Sequence, residues 1–508
     1  MYKTSSLERH YQEKLITAEQ AAALVRPGDR VHFGLGCGQV VDIDTALAAR
    51  ADELSQVTIF STASLIDKPF KVYEATHSNS QVRFVSAHFG PADRHMSDAG
   101  RCAYLPIMFR ELPKYWLVNN NELDIACFQV APMDEFGNFN LGPQVSDMWG
   151  VIRGAKKIIV EVNKNMPIAH GHQTQINLYT VDYVVEGSNT PLPVIERKAP
   201  TPTEQRIASR VVERIKNNST LQLGIGGLPS CIGTLIADSD LKNINAHTEL
   251  FVDAYVDLYE AGKLTGNKNV DRGKAVYTFA GGTKRLYDFI DDNPICCTAP
   301  VDYVNDTGII SSINDFVSIN GCIQVDLYGQ VCSETVGPRQ ISGNGGQLDF
   351  VMGAFGAKGG QSFLCTPSTF TRPDGTVESL IVPTLAEGSV VTTPRQATHF
   401  IVTEYGAADL KGKSTWERAE LLIEIAHPDF QDQLVKDAEA MGLWKRTNRR
   451  FYEFRQRKKR VRKGPFFIAF LTRYSRPAAL STTPALYDST FAASVCRNSF
   501  FDAPNALA

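Results

Sequence analysis

No two cysteines in this chain stand in C-x-x-C spacing, so neither a structural zinc site nor a paired redox motif is encoded. The ten cysteines are scattered through 508 residues, and the single close pair is Cys296-Cys297. Several lie in apolar, strand-like runs such as Ile125-Ala126-Cys127-Phe128, where a buried free thiol is the ordinary outcome. A reducing cytoplasm is the compartment this usage fits. A long apolar run is missing as well: no stretch has the length and hydrophobicity to cross a bilayer. The first ten residues, Met1 to His10, are polar and lack the apolar core of a signal peptide. Charge of one sign is also missing. Lys plus Arg number 52 against 55 Asp plus Glu, a net charge of −3. The expectation is therefore no nucleic-acid partner and no membrane partner. Any anionic ligand must be held by local devices: helix N-termini, glycine loops or single basic residues.

What remains is the composition of a globular protein, 43% hydrophobic and 21% charged. The length exceeds one ordinary core and implies two domains or more. Internal similarity gives them shape. Pro27-Gly28-Asp29-Arg30-Val31-His32-Phe33-Gly34-Leu35-Gly36-Cys37-Gly38 runs from a polar turn through an alternating strand to a glycine loop. Asn218-Ser219-Thr220-Leu221-Gln222-Leu223-Gly224-Ile225-Gly226-Gly227 does the same. Each leads into a helix-like stretch, Ile43 to Ala51 and Cys231 to Ala237. A second pair follows in the same order: Phe128 to Gly137, and Ile323 to Gly329. Each is a strand that turns at an acidic residue and a glycine. A third pair is Lys156 to Val162 with Thr398 to Glu404.

Prolines 191, 193, 200 and 202 mark a boundary between Thr190 and Glu204. Residues 203–216 then read as an amphipathic helix, with Ile207, Val211, Val212 and Ile215 at helical spacing. The fold class expected is α/β: two related, layered domains with mainly parallel sheets, spanning residues 1–195 and 203–450. Residues 451–508 form a basic run, Arg455 to Lys463, followed by a Ser/Thr/Ala/Pro-rich stretch, which predicts a disordered tail, with binding of nucleic acid or acidic lipid as the alternative.

Three features could carry chemistry. Gly224-Ile225-Gly226-Gly227-Leu228-Pro229 follows a strand and precedes a helix, so its amides and the helix dipole suit an anion. Pro229 breaks the third glycine of a dinucleotide fingerprint, which argues against an oxidoreductase; a tight structural turn fits equally well. Gly343-Asn344-Gly345-Gly346 packs three glycines into a loop whose free N–H groups could form an oxyanion site, or which is a simple bulge. Glu249 follows His247-Thr248 at the edge of a buried strand, a place where a carboxylate is more often solvated or salt-bridged than catalytic. His247 itself reads as a capping or exposed histidine, with a general base as the alternative. His170-Gly171-His172 has no third ligand in sight, so no metal is expected.

Taken together, these blocks resemble the acetyl-CoA hydrolase/transferase family. The resemblance runs to about Arg450 and includes Val130-Ala131-Pro132-Met133-Asp134, Val160-Glu161-Val162-Asn163-Lys164, Leu221 to Gly227, His247-Thr248-Glu249, Gln324 to Val331, Gln340-Ile341-Ser342-Gly343 and Val402-Thr403-Glu404-Tyr405-Gly406. Within the family it is most similar to the transferases that act on butyryl-CoA and acetate, through Val252-Asp253-Ala254, Gly345 to Phe350 and Leu443-Trp444-Lys445-Arg446. The 4-hydroxybutyrate transferases share most blocks.

The resemblance implies that Glu249 becomes a glutamyl-CoA thioester. It implies that Gly224, Ile225, Gly226, Gly227, Leu228, Ile323 and Gly346 lie against CoA, and that Asn305, Gly343 and Gly345 contact the thioester carbonyl. It further implies acyl-CoA, acetate and butyrate as small-molecule partners, coenzyme A as substrate and covalent intermediate with no permanently bound cofactor, and a homo-oligomer. Two alternatives stay open: an acyl-CoA hydrolase using the same glutamate, and a non-catalytic CoA-binding protein.

Overall fold

The computed structural model describes residues 5–443, apart from Asp67, Asn119, Asn120, Lys198 and Ile225. The expected tail, 451–508, lies outside the described residues. Eight strands form a first sheet: β1 (Leu15–Ile16), β2 (Arg30–Leu35), β3 (Val57–Thr62), β4 (Val82–Ser86), β5 (Cys102–Tyr104), β6 (Leu123–Val130), β7 (Ala155–Val162) and β8 (Tyr183–Glu186). They lie in the order β1-β8-β7-β6-β2-β3-β4-β5, and every pairing is parallel. Eight more form a second: β9 (Thr220–Leu223), β10 (Asn245–Phe251), β11 (Ala275–Ala280), β12 (Cys296–Thr298), β13 (Phe316–Gly321), β14 (Gln361–Cys365), β15 (Phe400–Thr403) and β16 (Gly406–Asp409). Their order is β12-β11-β10-β9-β13-β14-β15-β16, parallel except for the last pair.

The two orders share one path over seven strands. From a central strand (β2 or β9) the chain runs three strands to one side, then returns beside the centre and runs three to the other side; the eighth strand differs, being the N-terminal β1 in the first sheet and the antiparallel β16 in the second. Sequence accounts for the parallel pairing. β6 is buried at seven of its eight positions and β11 at all six, the continuous apolar reading of strands covered on both faces. One hydrophobic core joins the halves: Trp116, Phe128 and Phe139 share it with Leu221, Phe251, Tyr277 and Phe363.

The paired turns match at atomic detail. Asp134 accepts from the N–H groups of Phe136 and Asn138, and Asp326 accepts from those of Tyr328 and Gln330. Gly137 and Gly329 close the two turns with φ of 83° and 85°, where a side chain would be strained. The third sequence pair is offset by one strand. β7 neighbours β6, so its positional counterpart is β14 and not β15. Strand ends of similar composition occupy neighbouring positions in the two sheets.

Among the described residues no helix or strand lies between Glu186 and Pro202, in the proline-marked stretch. The helix α1 (Asp42–Ala48) follows β2, α2 is Pro202–Val212, and α3 (Gly227–Asp238) follows β9. Thr201 and Glu204 form a capping box at the start of α2, with Pro202 at the first helical position. The helix stops at Val212, four residues short of the expected Lys216. A fourth helix, α4 (Gln347–Gly356), follows the second glycine loop. Among the described residues no helix is long and apolar enough to cross a membrane.

Trp116 pins the shared core. Its Nε1–H donates to the buried Asp147 Oδ2 at 3.1 Å, and its ring meets Phe60 edge-on at 5.4 Å. Trp116→Ala is expected to cost about 3–5 kcal/mol. Trp116→Phe should recover part of that loss but leave Asp147 without its donor. Urea midpoints of the two variants measure both effects.

Candidate active site

Glu249 lies near the end of β10, and the residues before it explain its placement. Asn245 to Thr248 are buried, locked between β9 and β11. Thr248 Oγ1 donates to the carbonyls of Leu250 and Leu223, the latter at the mouth of the first glycine loop. His247 is neither exposed nor a cap, which corrects the sequence expectation. It is wholly buried, and its Nε2 lies 2.8 Å from the Val304 carbonyl. Burial pulls its pKa down to about 4, so the ring is neutral at physiological pH and donates to that carbonyl.

The consequence falls on the next residue, Asn305. It is fully buried, and its Nδ2 donates to Glu249 Oε2 at 2.6 Å. The Gly346 N–H is a second donor to the same carboxyl. Gly346 must be glycine: a Cβ there would lie 2.2 Å from Glu249 Oε2 and 2.3 Å from Asn305 Nδ2. Gly345, at φ +52°, faces the other side, and a Cβ on it would be 3.4 Å from both Glu249 Oε1 and His88 Nδ1. Burial lifts the Glu249 carboxyl from its ordinary 4.5 to about 7, against the opposing pull of the Asn305 and Gly346 hydrogen bonds.

Of the residues singled out in the sequence, Glu249, Asn305, Gly345 and Gly346 meet at one point. Gly343 does not join them; a Cβ there would be 2.9 Å from the Ala87 carbonyl oxygen and 2.9 Å from His88 Cα. Gly224, Gly226, Gly227 and Leu228 follow β9, and Ile323 follows β13. These are adjacent strands where the chain reverses direction across the sheet, the crevice in which open parallel sheets bind ligands. Among the described residues, no side chain or backbone comes near where a Cβ on Gly224 or Gly226 would stand, whereas Gly227 abuts Glu204. Ile323 is half-buried, and its N–H donates to the Cys332 carbonyl. Ile225 lies outside the described residues.

Sequence reasoning missed the contribution of the first half. His88 Nε2 lies 3.3 Å from Ser342 Oγ, and burial, with Arg94 nearby, holds its pKa down to about 4. Tyr104 OH accepts from the Asn344 N–H and donates to Glu334. The Phe109 N–H donates to the Gly345 carbonyl. It also missed Asp349, buried in the first turn of α4, for which an acid inside the apolar run Leu348-Asp349-Phe350-Val351 was the available signal.

Two doubly wound, mainly parallel sheets, with a half-buried glutamate held under asparagine and glycine-loop N–H groups, are the architecture of a CoA-transferase-type acyl-transfer enzyme. Models of the acetyl-CoA hydrolase/transferase N-terminal and C-terminal domains match residues 1–196 and 282–438. The chain belongs to that family and is a CoA-transferase. It is 45% identical to butyryl-CoA:acetate CoA-transferase of Anaerostipes caccae, over 87% of this chain and 100% of that protein. It is 38% identical to the 4-hydroxybutyrate coenzyme A transferase of Clostridium kluyveri, over 85% and 98% of the two chains. Among solved structures it is similar to RipA from Yersinia pestis, with a TM-score of 0.78 and 35% identity over 86% of this chain and 99% of that one.

The raised Glu249 pKa predicts a stability signature. In the unfolded chain the group ionises near its ordinary value, but the native state keeps the proton until about pH 7. The associated stability is full below the ordinary value and is lost as pH rises through about 7. Glu249→Gln stays neutral at every pH and can still accept from Asn305. Its melting temperature relative to the parent should therefore climb between pH 5 and pH 8; a difference that stays flat would contradict the burial argument.

Proposed function

We propose that the chain moves CoA between a short-chain acyl-CoA and a carboxylic acid, with Glu249 as the nucleophile. The reading rests on one observation: Asn305 Nδ2 holds Oε2 and the Gly346 N–H meets the same carboxyl, while Oε1 lies toward Gly345. A carboxylate fixed through one oxygen presents the other for attack.

In the first step Oε1 attacks the acyl-CoA carbonyl. The C–S bond breaks, giving a mixed anhydride and CoA thiolate. The thiolate then attacks the Glu249 carbonyl carbon, the C–O bond to the acyl group breaks, and the first acid leaves as its carboxylate. Glu249 is now a CoA thioester, and a second carboxylate reverses both steps. No proton is consumed. Each attack builds an oxyanion, for which Asn305 and Gly346 are the nearby donors, a device worth about 3 kcal/mol per donor. Gly224, Gly226, Gly227, Leu228 and Ile323 would hold the CoA nucleotide at the strand crevice, and that remote binding drives the strained covalent steps. Butyryl-CoA with acetate is the leading substrate pair, because the 45%-identical relative bearing that name is matched along its whole length. The residue spans 1–195 and 203–450 serve as two related domains, with the catalytic glutamate in the second.

Ping-pong kinetics with butyryl-CoA and acetate are expected. Borohydride added after acyl-CoA should reduce Glu249, seen as a mass change in its peptide. Glu249→Ala should abolish transfer, and full activity in that variant would end the mechanism. Asn305→Ala should lower kcat by about 10²–10³-fold, with a small change in KM. An acceptor series of acetate, propionate, butyrate and 4-hydroxybutyrate, with thioesters identified by mass, separates the substrate readings. Thioester loss with no acceptor would indicate a hydrolase.

A further inference from the structure

Asp349 is the buried acid that the mechanism leaves unused. It is fully buried in the first turn of α4, three residues after Gly346, whose N–H holds Glu249. Neither of its oxygens has a hydrogen-bond partner among the described residues. Arg110 Nε is 3.2 Å from Oδ1, but the two lack hydrogen-bond geometry, and Arg110 Nε is itself without a hydrogen-bond partner. A buried carboxylate normally gathers donors; one without them is far better tolerated as the neutral acid.

The charged and titratable groups around the pair come from several elements. Arg110 and Glu111 lie on the short turn Phe109–Glu111, and Asp306 caps the helix Thr307–Ser312. Glu249 comes from β10. His88, from the first half, lies beside Gly345 and is held neutral by burial. Three of these neighbours are acids and one is a cation. Burial, first, and then Glu249, Glu111 and Asp306 push the Asp349 carboxyl up to about 8, and Arg110 opposes them.

We propose that Asp349 is a positioning residue for the glutamate chemistry: as a neutral acid it adds no second buried negative charge beside ionised Glu249, and its own ionisation shuts the reaction down. The proposal rests on the reading of Glu249 as nucleophile. Attack moves negative charge from Glu249 onto the developing oxyanion, within the reach of the same donors. A second fixed negative charge in this low-dielectric pocket would oppose that charge. Two coupled acids then give two macroscopic ionisations, and the active form lies between them.

The test is the pH profile of kcat/KM for butyryl-CoA with saturating acetate, an acceptor that stays ionised throughout. The parent should give a bell, rising near pH 7 and falling near pH 8. Asp349→Asn should keep the rising limb and lose the falling one, so that its activity at high pH exceeds the parent's several-fold relative to pH 7.5. Arg110→Met, which removes the cation that favours ionised Asp349, should move the falling limb to higher pH. It decides the question alone if Asp349→Asn does not fold. A parent profile with no falling limb, or a falling limb untouched by either variant, overturns the proposal. A parent that transfers no CoA at all removes the underlying reading as well; one that transfers CoA with unmoved limbs removes this inference alone.

Discussion

The Glu249 carboxyl sits in a place where water cannot solvate it fully, and two N–H donors, from Asn305 and Gly346, meet it there. Most of the second half can be read as the means of keeping those donors in register. β10 is clamped by parallel neighbours so that its side chains cannot slide. A buried neutral histidine ties the carbonyl before Asn305 to that same strand. The Gly346 backbone reaches the carboxyl because no Cβ stands in the way. The donors offset part of the burial cost and leave the group with a pKa near neutrality, where a carboxylate is both available and strongly basic.

The two halves differ in what fills the loop after the central strand. In the first half, the start of α1 is filled from within. The Glu161 carboxylate accepts from the N–H groups of Val41, Asp42 and Ile43, and from Gln129 Nε2. An anion position at a helix start is thus satisfied by the protein's own side chain. In the second half the matching loop is open at Gly224 and Gly226. A similar strand–loop–helix unit is therefore a closed structural joint in one half and open at its glycines in the other.

The repeat was legible because it is written in local rules. Glycine at positive φ after an acidic turn, and apolar strands before glycine loops, leave marks that survive in one sequence. Glu249 was legible through the block around it, but its surroundings were not. His247 looks like a surface residue because its neighbours Asn245 and Thr248 are polar; those side chains donate to the carbonyls of Asn218 and Leu223, at either end of the neighbouring strand, contacts that only the sheet creates. His88, Tyr104 and Arg94 were invisible for a different reason. Their partners are more than 200 residues away in sequence, and no periodicity couples them.

Those distant partners define how the first half takes part in the chemistry. The segment leading into the glycine loop is tied to it at several points. Arg94 donates to the Ile341 carbonyl at 2.8 Å, Tyr104 bridges Glu334 and the Asn344 N–H, and His88 lies beside Ser342. Arg339 and Asp98 add a paired contact at the exposed rim, where solvent screening makes it worth little. The inner contacts matter more, because they act on half-buried groups close to Gly345. The Phe109 N–H completes the series by holding the Gly345 carbonyl, and that fixes which way the peptide bond between Gly345 and Gly346 faces. If this peptide turned over, the Gly346 N–H would leave the carboxyl, and the carbonyl oxygen would face a developing oxyanion instead. The first half thus sets the orientation of one peptide bond, on which the proposed use of Glu249 as a nucleophile depends.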